Sequence, residues 1–200
     1  MSSKKPAKVK DKLRDKTWYK IVAPPYFGGI ELQETPANEP EQIIGRTIET
    51  TLYEVTNDIT HQSTHLQLII EKTEGDKAIT SFKGHELARD YLRSLIRRGT
   101  SRIDGIVNVT TKDGHPLRVA VTAFTTSRAK TTQEMGVRRV MHDVVRAKSA
   151  ELNFDEFVQQ MVLGKIASDV YNQSKKITPL RKIEVRKSKL TKVSRGRAAA

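Results

Sequence analysis

The chain has no cysteine among its 200 residues. That excludes disulfides, thiol catalysis and every cysteine-ligated zinc site, and it fits a reducing compartment. No run of residues approaches the roughly 18 apolar side chains of a membrane span. The opening Met1-Ser2-Ser3-Lys4-Lys5-Pro6 is basic but lacks the apolar stretch of a secretory signal, so the sequence reads as cytoplasmic. Phosphate-loop signatures are missing too: there is no GxxxxGK loop and no GxGxxG fingerprint, and Gly28-Gly29 runs into apolar and acidic residues. His61 and His65 stand four apart, the spacing of a zinc pair on a helix, but they bracket Gln62-Ser63-Thr64 at a strand entrance with no glutamate between them. His85, His115 and His142 join no constellation of acid, base and nucleophile. The sequence therefore points to a protein that is not an enzyme and has no cofactor and no metal site.

Acids are scarce at both ends. The first 20 residues hold Lys4, Lys5, Lys8, Lys10, Lys12, Arg14, Lys16 and Lys20 against Asp11 and Asp15 alone, a net +6. From Lys175 onward come Lys175, Lys176, Arg181, Lys182, Arg186, Lys187, Lys189, Lys192, Arg195 and Arg197 against Glu184, a net +9. The chain totals +13, so the 154 residues between carry −2. A near-neutral body with two cationic arms repels itself unless a polyanion lies beside it, and each neutralised phosphate releases condensed counterions. RNA or DNA is the implied partner. A membrane surface is not, because residues 1–16 offer only Val9 and Leu13 as large apolar groups for an amphipathic face.

Hydrophobic residues make up 36% of the chain, a low figure that the arms dilute, so the body retains enough for one core. The organisation expected is a disordered basic arm over 1–16, a single domain over 17–186 and a basic tail over 187–200, the arms ordering only on nucleic acid. Trp18 to Val22 reads as a short strand, and residues 30–42, acidic and interrupted by proline, as an exposed loop. Thr47 to Val55 is strand-like. Leu66–Lys72 and Ala78–Lys83 form a hairpin across Glu74-Gly75-Asp76. A second hairpin alternates through Ile103, Gly105, Val107 and Val109, turns at Asp113-Gly114 and returns through Leu117, Val119, Val121 and Ala123. Helical spacing predicts helices over Glu86–Arg98, from a Thr131/Glu134 capping box, and over Leu152–Leu163 with a break at Gly164. Ile183-Glu184-Val185 is a last strand candidate. The fold class is α+β: a central antiparallel β-barrel-like sheet with flanking helices and basic disordered termini.

Charge is polarised within the body as well. Residues 21–82 carry −7, residues 83–148 carry +8 and residues 149–174 carry −3, so the stretch from Lys83 to Lys148, with Lys112 inside it, should face RNA. On the helix expected over 86–98, Arg89 and Arg93 each have an acid three residues before them and read as intrahelical pairs. Arg97, Arg98 and Arg102 follow the helix without such an acid and read as RNA contacts. Thr125 to Thr132 is built of small hydroxyl residues with Arg128 and Lys130, a composition suited to phosphate oxygens at a helix start. Arg138 and Arg139 extend the cationic side along the next helix, weakened by Asp143.

Longer segments are familiar. Asp15-Lys16-Thr17-Trp18-Tyr19-Lys20-Ile21-Val22-Ala23-Pro24 and Phe82-Lys83-Gly84 are followed in order by Arg89-Asp90-Tyr91-Leu92-Arg93-Ser94-Leu95-Ile96-Arg97-Arg98. Val109-Thr110-Thr111-Lys112-Asp113-Gly114, Ser127-Arg128-Ala129-Lys130-Thr131 and the run Ile177 to Lys187 complete the series. Together, from about residue 10 to 190, they resemble the archaeal and eukaryotic small-subunit ribosomal protein family S-three-Ae, also called S-one-e. The resemblance implies a structural ribosomal protein with a central β-barrel, on the platform of the small subunit near the messenger exit. Its implied partners are small-subunit rRNA near its 3′ end, neighbouring platform proteins and nearby messenger RNA. It supplies no catalytic residues. The chain lacks the longer C-terminal extension of eukaryotic members and so resembles the archaeal type; Lys130 stands where glutamine is expected in many relatives, which adds charge. The alternative from another class is an RNA-processing enzyme or a free RNA chaperone.

Overall fold

The computed structural model describes residues 16–191. In chain order the elements are β1 (Thr17–Val22), β2 (Glu31–Ala37), β3 (Thr47–Thr51), α1 (Leu52–Thr56), β4 (Thr64–Glu74), β5 (Lys77–Leu87), α2 (Arg89–Leu95), β6 (Arg102–Thr110), β7 (Pro116–Thr125), α3 (Thr131–Glu151), α4 (Phe154–Val162), α5 (Lys165–Ser174) and β8 (Leu180–Leu190). Both expected hairpins are present. β4 and β5 pair antiparallel from Thr64↔Leu87 to Glu74↔Lys77, and β6 and β7 pair from Arg102↔Phe124 to Thr110↔Pro116. Gly164, at φ 81°, ends one helix turn and opens the next, as expected of a residue without a Cβ.

All eight strands belong to one sheet, and β5 is its junction. One edge of β5 is covered by β4, which also carries β3. The other edge is shared: Lys77–Ile79 pairs in parallel with β1, and Gly84–Glu86 pairs antiparallel with Lys187–Lys189 of β8. β8 then pairs along its length with β7. The expected barrel is not formed: among the described residues β2, β3 and β6 keep unpaired edges, and the sheet stays open. Helices explain why. The apolar face that closure would have buried, including Leu66, Leu68, Phe82, Ile103, Val107, Val119 and Val121, packs against Val137, Met141, Val144 and Val145 of α3 and Phe157, Val158, Met161 and Val162 of α4. A sheet roofed by helices has no apolar surface left to drive it round on itself.

Five local expectations are corrected. Residues 30–42 are not all loop, because β2 lies antiparallel to β1, with Pro36 opposite Trp18 on a free edge where a missing N–H costs nothing. The strand expected over Thr47–Val55 stops at Thr51; Leu52–Thr56 forms a helical turn that buries Leu52 and Val55 and lets the Thr50 and Thr51 hydroxyls donate to the Glu54 carboxylate at 2.7 and 3.3 Å. The helix expected from Glu86 begins only at Arg89, because Glu86 and Leu87 remain paired in β5 and the Ala88 N–H donates to the Ser63 carbonyl. At α3 the capping glutamate is replaced by Gln133, whose side-chain oxygen accepts from the Lys130 N–H at 3.0 Å, so the cap sits one residue earlier than Thr131/Glu134. The basic tail also begins later than residue 187, since Lys187 and Lys189 lie within β8. The disorder expected of 1–16 and of the chain end falls outside the described residues, apart from Lys16 and the strand just named.

Where β5 meets β8 the backbones approach closely. A Cβ on Gly84 would lie 2.5 Å from the Ser188 carbonyl oxygen, so only glycine fits. Next to it, buried His85 ties the seam: its Nε2–H donates to the Val185 carbonyl at 3.1 Å, and its Nδ1 lies 2.6 Å from the Ser188 hydroxyl. Since a carbonyl only accepts, the proton must sit on Nε2 and Nδ1 must accept from Ser188. Burial pushes the imidazole down to about 4, against smaller opposing effects from the Val185 carbonyl and Glu86.

Candidate nucleic-acid interface

The strand order brings together cations that are far apart in sequence. Loop 97–102, loop 126–130 and loop 175–179 interlock at one end of the molecule. The Ser101 N–H donates to the Thr125 hydroxyl at 2.8 Å, and the Ala129 N–H donates to the Ser101 hydroxyl at 3.1 Å. The Thr126 N–H donates to the Pro179 carbonyl at 3.1 Å, and the Gln133 amide reaches the Ile177 carbonyl. Arg97, Arg98, Arg128, Lys130, Lys175 and Lys176 are carried on these loops and are all exposed. Among the described residues none of the six has a carboxylate within ion-pair distance. The cations expected at a helix end and a helix start, some 30 residues apart, thus share one surface with two from the C-terminal segment.

A second basic region lies on the face of β6–β7–β8 turned away from α3. Register aligns Asn108, Arg118 and Lys189 in one row, and Ile106, Ala120 and Lys187 in the next. Arg118 donates from Nε to the Asn108 side-chain oxygen at 2.9 Å, which leaves its charge uncompensated. α2 crosses one end of this face, where the Tyr91 hydroxyl donates to Glu184 at 3.0 Å and Lys182 lies over the Tyr91 ring and pairs with Glu184 at 2.9 Å. Between α2 and the strands a cleft of about 410 Å³ is lined by Glu86, Arg89, Leu92, Arg93, Ile96, Arg102, Arg186 and Lys187.

Several cations expected to be free are engaged by protein groups. Arg102 pairs with Asp104 at 2.9 Å, an acid two residues on and therefore on the same strand face, a relation that helical spacing overlooks. Burial opposes ionisation of Asp104, but the Thr122 hydroxyl, Arg102 and Arg186 outweigh it and hold the carboxyl below its ordinary range. Arg138 donates to the Asp104 carbonyl at 3.3 Å and approaches Glu134 at 3.7 Å, so protein groups partly engage its charge, while Arg139 stays exposed. Lys83 donates to the Thr47 hydroxyl at 2.7 Å, and Arg181 donates to the Leu95 carbonyl. Lys112 is exposed on the turn after β6. Lys4, Lys5, Lys8, Lys10, Lys12, Arg14, Lys192, Arg195 and Arg197 lie outside the described residues.

Arg89 reverses its expectation. Glu86, a strand residue opposite Lys187, pairs with that lysine at 2.6 Å instead. Arg93 keeps only a 4.0 Å approach to Asp90 between two largely exposed side chains, a pair worth little in water. Sequence reasoning missed Arg89 as a member of the basic face, and the missing signal was the pairing of β5 with β8, whereas the expected pairing of Arg93 with Asp90 is present. His61 contacts the Thr56 hydroxyl and His65 stands 3.6 Å from Glu49; among the described residues no cluster of three or more metal-ligating side chains occurs.

Comparison with known proteins matches this arrangement to a family. The model of the Ribosomal S3Ae family matches residues 4–194. A small ribosomal subunit protein eS1 of Desulfurococcus amylolyticus is 51% identical over 190 residues, covering 95% of this chain and 89% of the relative. The protein of the same name from Sulfurisphaera tokodaii is 48% identical over 192 residues, 96% of this chain and 98% of its own length. That of Archaeoglobus fulgidus is 48% identical over 186 residues, 92% and 88% respectively. A match over almost the entire length, in the order of the segments that carry both the sheet and the basic loops, means that this chain belongs to the Ribosomal S3Ae family.

Proposed function

We propose that this protein is a cytoplasmic structural constituent of the small ribosomal subunit. It binds small-subunit rRNA on the platform near the messenger exit and the rRNA 3′ end, beside other platform proteins. The observation that carries the binding role is the interlocked loop end, where Arg97, Arg98, Arg128, Lys130, Lys175 and Lys176 present six cations that have no paired acid among the described residues. Compact folding gains nothing from gathering unpaired like charges, whereas an RNA backbone neutralises them and releases its counterions. The ribosomal setting is supported by family membership and by the names of the relatives, and the platform position by the family resemblance.

The basic arms add a diffuse electrostatic contribution: each phosphate neutralised on a duplex is worth ~0.9 in the log–log salt slope, so losing about six contacts flattens it by about 5. Sedimentation of cell extract is the direct experiment. The protein should travel with small subunits through a high-salt wash, and a version lacking residues 1–15 and 192–200 should bind rRNA with a flatter salt dependence. A stable pool off the ribosome, or an identical slope without the arms, refutes the proposal or the role of the arms respectively.

A further inference from the structure

We infer that the cleft between α2 and the β8–β7–β6 face is a receptor for a phosphodiester group of RNA, a reading that rests on the ribosomal role proposed above. Five cations line it, and its acids are already engaged: Glu86 by Lys187 at 2.6 Å, and Asp104 behind it by Arg102 at 2.9 Å and the Thr122 hydroxyl at 2.6 Å. Arg89 and Arg186 have no carboxylate within ion-pair distance among the described residues, and Arg93 has one only at 4.0 Å.

Arg186 is the decisive residue. The β7–β8 register shifts between Ala120, opposite Lys187, and Val121, opposite Val185, so Arg186 is the extra residue of a β-bulge. Bulges re-aim a side chain out of the alternation of its strand. The Arg186 Nε is buried and, among the described residues, has no hydrogen-bond partner. A buried guanidinium donor left without an acceptor is costly. An oxyanion entering the cleft would meet the half-buried Arg186 guanidinium, whose paired terminal nitrogens bind phosphate in a planar fork. Among phosphate sources an RNA strand fits best, because the cleft is continuous with the loop end. α2 is seven residues long, about 10 Å at 1.5 Å per residue, and leads from the cleft at Arg89 to Arg97 and Arg98.

The test uses the full-length protein and protein-free small-subunit rRNA from the source organism, with binding measured against salt. Arg89→Gln with Arg93→Gln, on the exposed side of α2, should preserve the melting temperature and weaken binding about tenfold, as expected for loss of charge-assisted contacts. The log–log slope should fall by about 1 to 2, at ~0.9 per phosphate. Arg186→Gln should weaken binding in the same way, and Arg186→Lys should fail to restore it, since lysine keeps the charge but not the planar pair. Lys165→Gln, in an acidic stretch, should change neither affinity nor slope. Wild-type affinity and slope in both the double variant and Arg186→Gln overturn the cleft assignment and leave the ribosomal role standing. A wild-type chain that binds rRNA no better than an unrelated RNA and washes off small subunits overturns the ribosomal role instead. Saturable binding of inorganic phosphate at constant ionic strength that Arg186→Gln abolishes, with rRNA affinity and slope unchanged in that variant, would assign the site to free phosphate and overturn the RNA assignment.

Discussion

Lowering the pH from 7.5 to 4.5 should loosen the β5–β8 seam through one residue, His85. Its ring is buried, both nitrogens are engaged, and burial holds the pKa at about 4 against an ordinary 6.5. Between those values the unfolded chain binds a proton at this position and the folded chain does not, so stability falls as pH falls. The contribution is complete above pH 6.5 and is lost on approach to pH 4. At ~1.36 kcal/mol per pH unit the full loss is about 3 kcal/mol, and about 2.5 kcal/mol of it is reached by pH 4.5. Protonation would also oblige Nδ1 to donate where it now accepts, and the Ser188 hydroxyl would have to turn while still accepting from the His85 N–H at 3.2 Å. Urea denaturation of wild type and His85→Gln at both pH values, at constant ionic strength, isolates the residue. The variant should be weaker at pH 7.5 by about 1–3 kcal/mol for the disturbed buried hydrogen bonds, yet lose about 2.5 kcal/mol less on acidification. Parallel pH profiles for the two proteins, or a His85 resonance titrating near 6.5, would refute this account of the seam.

Other expectations are simpler to check. Arg97→Ala with Arg98→Ala should impair incorporation into small subunits while the purified protein melts like wild type, because both side chains are exposed beyond the end of α2; early melting or normal assembly would remove that helix end from the interface. Gly84→Ala forces a Cβ to within 2.5 Å of the Ser188 carbonyl oxygen, so it should cost about 1–3 kcal/mol and speed amide exchange at the β5–β8 pairs. Phe157→Ala removes a ring with no exposed surface from the core between α4 and the sheet, and calorimetry should show a loss of about 3–5 kcal/mol.

Legibility in the sequence followed the range of the interactions. The two hairpins were readable because alternation and turn chemistry are local, and Gly164 because a helix break is local. β2 was hidden by its prolines and acids, which an edge strand tolerates and a loop also favours. Closure of the sheet could not be judged from strand patterns, since covering the apolar face with α3 and α4 satisfies the same pattern. At the interface, the freedom of Arg97, Arg98, Arg128 and Lys130 from acids was visible in their neighbours. The freedom of Arg89 was not, because it depends on Lys187 taking Glu86 from 101 residues away. Arg186 stood out only as one more basic residue, since a bulge is a property of the pairing and not of the strand that carries it.

The place of β8 in the sheet also bears on how the chain is made. β1 to β5 pair among themselves and β6 pairs with β7, and among the described residues only β8, the eighth strand in chain order, joins the two groups. Its contacts at His85 close a loop of 103 residues, the kind of long-range pairing that slows folding. Until Lys187 to Lys189 emerge from the ribosome, Gly84–Glu86 and the outer edge of β7 have no strand to pair with, and such bare edges expose a nascent chain to aggregation. A release assay on stalled chains should therefore show protease resistance across the whole sheet arising in a single late step, when the C-terminal strand clears the exit tunnel.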